Sequence, residues 1–165
     1  MAVTGITGLP EVVKIGGAVE ERQDYLAAGT YACGDLIRIT TGGTIKIALT
    51  ASAGAVHGVA LEAAVSGDVA KVLLFADDTV VSIPTIDGES PADLTKSLSY
   101  ALEVGTGAFA VTASVTNGVA TVVSYGDDGM PWDDRYGSFD QDSTVDNNRV
   151  LVRFKQTVLD GNAAA

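Results

Sequence analysis

The sequence has little of the side-chain chemistry that enzymes and metal sites use. It contains one cysteine, Cys33, and one histidine, His57, in 165 residues. A single cysteine excludes an intrachain disulfide and a zinc site built from several thiolates. Cys33 and His57 could in principle form one nucleophilic pair. Reactive cysteines need an electropositive setting, however, and this chain has few cations. We therefore predict that the protein is not an enzyme and that it holds no cofactor and no catalytic metal.

Positive charge is scarce as well. Ten Lys and Arg residues face 21 Asp and Glu residues, which gives a formal net charge of −11. A surface that negative repels nucleic acid and anionic membranes, so we expect neither as a direct partner. No apolar run approaches the length of a membrane span, and the first residues lack the basic and apolar regions of a secretory signal. We expect a soluble protein that is made in the cytoplasm.

Aromatic residues make up only 6 % of the chain, although hydrophobic residues make up 47 %. Ala, Val, Thr and Gly supply much of the bulk, and small and β-branched residues suit thin, tightly packed sheets. In "LIRITTGGTIKI" (36–47) apolar and polar residues alternate on both sides of Gly42 and Gly43, which predicts a β-hairpin. Further strands are predicted in "AVHGVALEA", "VAKVLLF" and "TVVSIP", with a turn at 66–68 between the first two.

One short helical turn is predicted in "ESPADLTKSL". Ser90 is suited to cap it, Pro91 fits the first helical position, and Asp93 is favourable in the first turn. From Leu98 the hydrophobic period becomes two. We therefore expect one helical turn followed by a strand.

The last third of the chain contains two more strand signals. "AFAVTASVTNGVATVVSY" predicts a second hairpin that turns at the Asn-Gly pair 117–118. The glycines of "VGTGAF" lack the spacing and the following helix of a phosphate-binding loop, so they indicate a turn between strands. "RVLVRF" predicts a final strand with Val150, Val152 and Phe154 on one face.

Eight to ten short strands with close turns indicate an all-β fold, either a small β-barrel or β-tulip-like domain or a sandwich, with at most one short helix. We divide the chain into an extended N-terminal arm (1–25), a single β domain (26–160) and a disordered tail (161–165). The arm contributes one short strand in "EVVKI", where Val12 and Val13 are candidate contacts with a neighbouring polypeptide.

The segment 126–148 is unusually acidic, with seven aspartates and one arginine. Clustered carboxylates can bind calcium, but "DQDSTVDNN" (140–148) lacks the glycine and the distal glutamate of an EF-hand loop. We favour a solvated excursion over a metal site. Much of the chain's scarce aromatic material also lies here, and aromatic residues often anchor protein interfaces. The interface candidates in this segment are Met130, Trp132, Tyr136 and Phe139.

Several stretches together resemble one protein family. "YACGDLIRI", "GAVHGVALEAAVSGDVAKVLLF", "SLSYALEVGTGAFAV" and "NRVLVRF" are similar to the head decoration, or cement, proteins of tailed bacteriophages. The similarity runs from Tyr31 to Phe154, while the acidic segment and the arm do not match the pattern. The resemblance implies a β-barrel or β-tulip domain that forms homotrimers on the outer surface of the virion. There it would bridge neighbouring capsomers of the major capsid protein and resist the pressure of packaged DNA.

Two other functions stay open at this stage. A β-sandwich module that binds carbohydrate or calcium on a virion or cell surface could use the aromatic residues of 126–148. A small hydrolase would need Cys33 and His57 close together in space. Of the three, the decoration function is the one we expect.

Overall fold

The protein has the all-β fold that the sequence predicts, and its centre is a closed five-stranded barrel. The computed structural model describes residues 11–13, 20–48, 56–76, 79–105, 108–116, 118–125, 143–144 and 148–155. The described strands are β1 (Glu11–Val13), β2 (Glu20–Ala27), β3 (Leu36–Ile39), β4 (Thr44–Ile47), β5 (Gly58–Ala60), β6 (Val69–Leu74), β7 (Val80–Pro84), β8 (Ser99–Tyr100), β9 (Leu102–Gly105), β10 (Ala108–Val111), β11 (Ala120–Ser124) and β12 (Arg149–Phe154).

The barrel is formed by β2, β4, β3, β5 and β6 in that order, and β6 closes it by pairing antiparallel with β2. The β3–β4 hairpin is confirmed, and Gly43 in its turn has φ of 75°, a conformation that glycine adopts without steric cost. The core of the barrel is small because much of it is alanine and valine. Its buried members are Ala27, Tyr31, Ile37, Ile39, Ile45, Ala60, Ala64, Ala70 and Val72.

A second, five-stranded sheet has the order β1-β7-β12-β11-β8, and β9 pairs with β10 in a separate hairpin. The final strand predicted from "RVLVRF" is confirmed as β12, which lies at the centre of this sheet. Val150, Val152 and Phe154 are buried in one cluster, as their spacing predicts. The turn between strands predicted in "VGTGAF" also agrees with the pairing of β9 with β10.

The barrel and the second sheet pack against each other and share a core. Leu36 on β3 has its side chain in this shared core, whereas its neighbour Ile37 lies in the barrel core. The rings of Phe75 and Phe154 stack with their centroids 5.9 Å apart. The backbone N–H of Val56 also donates to the carbonyl oxygen of Lys155 at 3.1 Å. The barrel is therefore held against the sheet by apolar contacts and by the main chain.

The predicted helical turn is a single 3-10 turn at Pro91–Asp93. Ser90 caps it, and its backbone N–H donates to the Asp93 carboxylate at 2.7 Å. The strand predicted to follow is divided at Ala101 between two pairings. Tyr100 pairs with β11, whereas Leu102 pairs with β10.

The second predicted hairpin is wrong in its pairing. β10 pairs with β9, and β11 pairs with β8 and β12. The chain crosses from one partner to the other near Gly118, where an added Cβ would lie 2.3 Å from the carbonyl oxygen of Ser99. The glycine therefore permits a close approach to β8, a long-range contact that a local Asn-Gly signal does not contain.

The expected N-terminal arm also differs from the structure. Residues 20–25 belong to β2 and complete the barrel. Their hydrophobic alternation is interrupted because the register with β6 shifts between Arg22 and Tyr25, and a bulge of this kind moves side chains from one face to the other. Farther upstream, β1 covers the first three residues of "EVVKI" and pairs antiparallel with β7.

Candidate functional site

The residues singled out from the sequence as interface candidates fall into two groups. Val12 and Val13 lie in β1, opposite Val81 and Val80 of β7, and β1 is an edge strand of its sheet. Met130, Trp132, Tyr136 and Phe139 lie outside the described residues, so their role at an interface stays a prediction. An edge strand can add a strand from another chain, which keeps β1 among the candidate contacts.

Cys33 and His57, the one pair considered for nucleophilic catalysis, lie at opposite ends of β5. The exposed Cys33 thiol contacts the carbonyl oxygen of Leu61 at 3.2 Å. The His57 imidazole precedes β5 and contacts Ile39. Leu61 lies four residue steps after His57 along extended chain, which corresponds to about 13 Å. The structure does not bring the pair together.

His57 acts as an extension of the strand ladder. Its backbone N–H donates to Ile37 at 2.9 Å, its carbonyl oxygen accepts from Phe75 at 2.8 Å, and its Nδ1 accepts the backbone N–H of Ile39 at 2.9 Å. The accepting Nδ1 assigns the proton of the neutral ring to Nε2. That Nε2 is buried and has no hydrogen-bond partner. Burial, together with the charge of Arg38, lowers the pKa of His57 to about 4.

Arg38 is buried beside His57, although the alternation of β3 assigns it to a polar face. It is 3 % exposed, its Nε donates to the carbonyl oxygen of Ile47 at 3.3 Å, and one terminal nitrogen has no partner. Burial lowers the pKa of this guanidinium. Leu36 on the same face of β3 lies in the core shared with the second sheet. The second sheet therefore covers this face of β3. Arg38 is buried there, although the alternation of polar residues in the sequence predicts that it is exposed.

An arrangement of this kind is poor in catalytic chemistry. The His57 nitrogen with a lone pair is engaged by the backbone, and the neighbouring cation disfavours protonation of the ring. Within the described ranges, no group of three or more His, Cys, Asp or Glu side chains is placed to hold a metal ion. The same ranges contain no helix long and apolar enough to cross a membrane.

One end of the barrel exposes a group of apolar side chains, which we call the barrel-end patch: Leu26, Val65 and Val69. Leu26 on β2 and Val69 on β6 are direct cross-strand partners, so their side chains lie side by side on the outer face. They are 52 % and 63 % exposed, and Val65, which precedes the turn into β6, is 54 % exposed. All three side chains are therefore more than half exposed, and they lie at the turn end of the β2–β6 pair.

Charged groups lie farther along the same two strands, on one side of the barrel-end patch. Lys71 on β6 forms ion pairs with Glu62 at 3.5 Å and with Glu21 at 3.9 Å. Arg22 on β2 contacts Asp24 in a second ion pair. An apolar centre with a polar rim is the usual composition of a protein–protein contact.

The barrel-end patch was not found from the sequence. Val69 begins the strand predicted in "VAKVLLF", and that prediction does not say which of its residues face the interior. The structure buries Ala70 and Val72 in the barrel and leaves Val69 outside. One feature of the sequence could have indicated the patch. Val65 and Val69 flank the turn at 66–68, and apolar residues beside a turn face solvent unless another element covers them.

No protein-family model matches the chain, and no curated protein sequence matches it either. The site is therefore interpreted from its own chemistry.

Proposed function

We propose that the protein is a structural protein of a tailed-bacteriophage virion that decorates the outer surface of the capsid. In this proposal it binds as a homotrimer to the major capsid protein and bridges neighbouring capsomers. It stabilises the shell against the pressure of packaged DNA through contacts between polypeptides, without making or breaking bonds.

The observation that carries the proposal is the barrel-end patch. Completing the burial of three half-exposed side chains contributes about 1 kcal/mol each, or about 3 kcal/mol per copy. A contact of this size is weak alone, but three linked copies that bind one shell gain avidity from their effective concentration. A docking protein of this kind combines modest single contacts with tight overall binding.

Two further features support the proposal. The closed barrel has no free strand edges of its own, which gives each copy a rigid unit that can present the barrel-end patch. The net charge of −11 keeps such a protein soluble and repels the genome inside the shell. The shell is proposed as the partner because of the resemblance between Tyr31 and Phe154, and a rigid acidic barrel with an exposed apolar patch is compatible with that role.

The test is co-sedimentation with empty shells assembled from the candidate major capsid protein. We expect saturable binding of the wild type and at least about 100-fold weaker binding of the variant L26S/V65S/V69S, since each copy loses about 3 kcal/mol. The matched control is L98S/V115S, which changes two exposed apolar residues outside the barrel, Val115 being 62 % exposed. Equal binding of all three proteins would overturn the role of the patch, and no binding of the wild type would overturn the function.

A carbohydrate- or calcium-binding module is the alternative function. Its candidate residues in 126–148 lie almost entirely outside the described residues, and no described contact favours it. Binding to a glycan array or a calcium-dependent rise in melting temperature, without binding to shells, would replace the decoration function with this one.

A further inference from the structure

A row of basic side chains crosses the outer face of the barrel. Arg38 on β3 and Lys46 on β4 are direct cross-strand partners, so their side chains lie side by side on the same face. On the other side of β3, the backbone N–H of His57 donates to Ile37 and its ring accepts from Ile39. His57 is thereby held against β3 beside Arg38. We call Lys46, Arg38 and His57 the basic row.

The basic row lies where the second sheet begins to cover the barrel. Alternate residues of a strand share a face. Leu36 and Ala48 therefore lie on the same face as the row, and both belong to the core shared with the second sheet. Arg38 is 3 % exposed and His57 is 6 % exposed, whereas Lys46 is half-buried. The row thus runs from a buried end at His57 to an end at Lys46 that solvent can reach.

No carboxylate within the described ranges balances the charge of the basic row. The ion pairs found there involve Arg22 and Lys71, and neither Arg38 nor Lys46 forms one. Two cations directly opposite each other in a sheet repel, and buried charges in proteins are normally paired. The Arg38 guanidinium is therefore a buried charge that needs a partner of opposite sign.

Two buried hydrogen-bond donors of the basic row also lack acceptors. One terminal nitrogen of Arg38 and the Nε2 of His57 are buried and have no hydrogen-bond partner. The pKa of the imidazole is lowered by burial and by the charge of Arg38, which places the guanidinium close to the ring. Buried donors without acceptors are rare in native proteins, and a bound ion or water is the usual explanation. Of these two, an anion also balances the charge.

Two threonines extend the donor set toward the turn of the β3–β4 hairpin. The hydroxyl oxygens of Thr40 and Thr44 are 2.8 Å apart. Thr40 lies two residues after Arg38, and Thr44 lies two residues before Lys46, so both share the face of the basic row. One hydroxyl hydrogen is used between them, which leaves the other for a ligand. A guanidinium fork, an ammonium group and a hydroxyl together match the oxygen atoms of a small oxyanion.

We propose that the basic row, together with Thr40 and Thr44, binds a small inorganic oxyanion of the phosphate class. The anion supplies the acceptors that Arg38 and His57 lack, and its negative charge balances the two cations. Lys46 at the half-buried end gives the ligand a way in from solvent. This inference goes beyond the proposed function, since neither a shell nor a second copy takes part in it.

Thermal melting of the full chain with added inorganic phosphate tests the proposal. Chloride keeps the ionic strength constant across the series, so that the screening of the two cations does not change. Two charge-assisted contacts correspond to a dissociation constant of about 1 mM. A ligand that binds only the folded state raises the melting temperature by mass action, and about 10 mM phosphate should raise it by about 3–5 °C. Isothermal titration calorimetry measures the same dissociation constant directly.

The variant K46Q removes the half-buried cation and leaves the buried Arg38 in place. It should bind phosphate at least about 10-fold more weakly, as expected for the loss of one charge-assisted hydrogen bond. Without phosphate its melting temperature should equal or exceed that of the wild type, because two like charges no longer lie opposite each other. The matched control K71Q makes the same change in net charge elsewhere on the barrel and should keep the wild-type response to phosphate.

Three results would overturn the proposal. They are a wild type that phosphate stabilises no more than chloride does, a K46Q variant with the wild-type response, and a K71Q control that loses the response. The first result would assign water to the two buried donors. Circular dichroism establishes that each variant is folded. K46R keeps the positive charge and should respond to phosphate like the wild type, so a K46R variant that does not bind would also contradict the role of the charge.

Discussion

Acid should destabilise this protein through one side chain, His57. Its pKa in the folded protein is about 4, below the value of about 6.5 expected in the unfolded chain. The unfolded state therefore binds the proton first as the pH falls. The free energy of unfolding is highest above pH 6.5 and decreases as the pH falls through 4. The physical cause is burial of the imidazole, together with the neighbouring charge of Arg38. Protonation would also turn Nδ1 from an acceptor into a donor opposite the Ile39 N–H.

The magnitude follows from the two pKa values. A difference of about 2.5 pH units corresponds to about 3 kcal/mol once the pH has fallen below both. About 2 kcal/mol of this should be lost between pH 7.5 and pH 5, before most carboxylates titrate. A small domain has a free energy of unfolding of about 5–15 kcal/mol, so the loss is easily measured.

The assay is urea unfolding at pH 7.5, 6 and 5, compared with the variant His57→Asn. Asparagine places its Oδ1 where histidine has Nδ1, so it keeps an acceptor for the Ile39 N–H but does not titrate. The variant should be less stable at pH 7.5, because the smaller side chain leaves space, yet its stability should change little down to pH 5. If the wild type and the variant lose stability in parallel, His57 is not the acid-sensitive group and the argument is refuted.

Three further predictions concern packing and strain. Gly58→Ala and Gly118→Ala should each destabilise by about 1–3 kcal/mol, since an added Cβ would lie 2.2 Å and 2.3 Å from a backbone carbonyl oxygen. Gly29→Ala, which meets nothing within 4 Å, should be nearly neutral in the same denaturation assay, and equal losses at all three glycines would contradict the close approaches. Phe154→Ala should destabilise by about 3–5 kcal/mol in urea unfolding, because it removes the ring that joins the sheet to the barrel, and a loss under 1 kcal/mol would refute that role. Ser97→Gly should raise the free energy of unfolding by up to about 1 kcal/mol by relieving its positive φ, and a loss of stability would show that the conformation is not strained.

The parts of the fold that the sequence predicts are those fixed by local signals. Gly42 and Gly43 between two alternating runs define the β3–β4 hairpin, and the confirmed turn at Pro91–Asp93 follows from its cap and its proline. In each case the residues that determine the element lie within a few positions of one another. All-β character follows from the same local patterns repeated along the chain.

Long-range pairing is what the sequence does not predict. β11 pairs with β8 and β12 instead of β10 because the chain at Gly118 can approach Ser99 of β8 closely, and this contact joins residues far apart in the sequence. β2 was interpreted as part of an arm because its bulge interrupts the alternation, while the barrel needs it as the strand that closes the ring. The burial of Arg38 has the same origin, since only the second sheet decides which face of β3 is covered.

The candidate surfaces depend on these same tertiary relations. The barrel-end patch requires the closure of β6 against β2. It does not follow from a motif. The interface residues predicted from composition, with Trp132 as the main anchor, still need a direct test.

Electron cryomicroscopy of shells with and without the added protein tests the central claim most directly. A protein that acts by binding to the capsid lattice should add trimeric density on the outside of the shell at three-fold positions, with the barrel-end patch against the capsomers. Shells that show no added density at saturating protein, or density on the inner surface, would contradict the account.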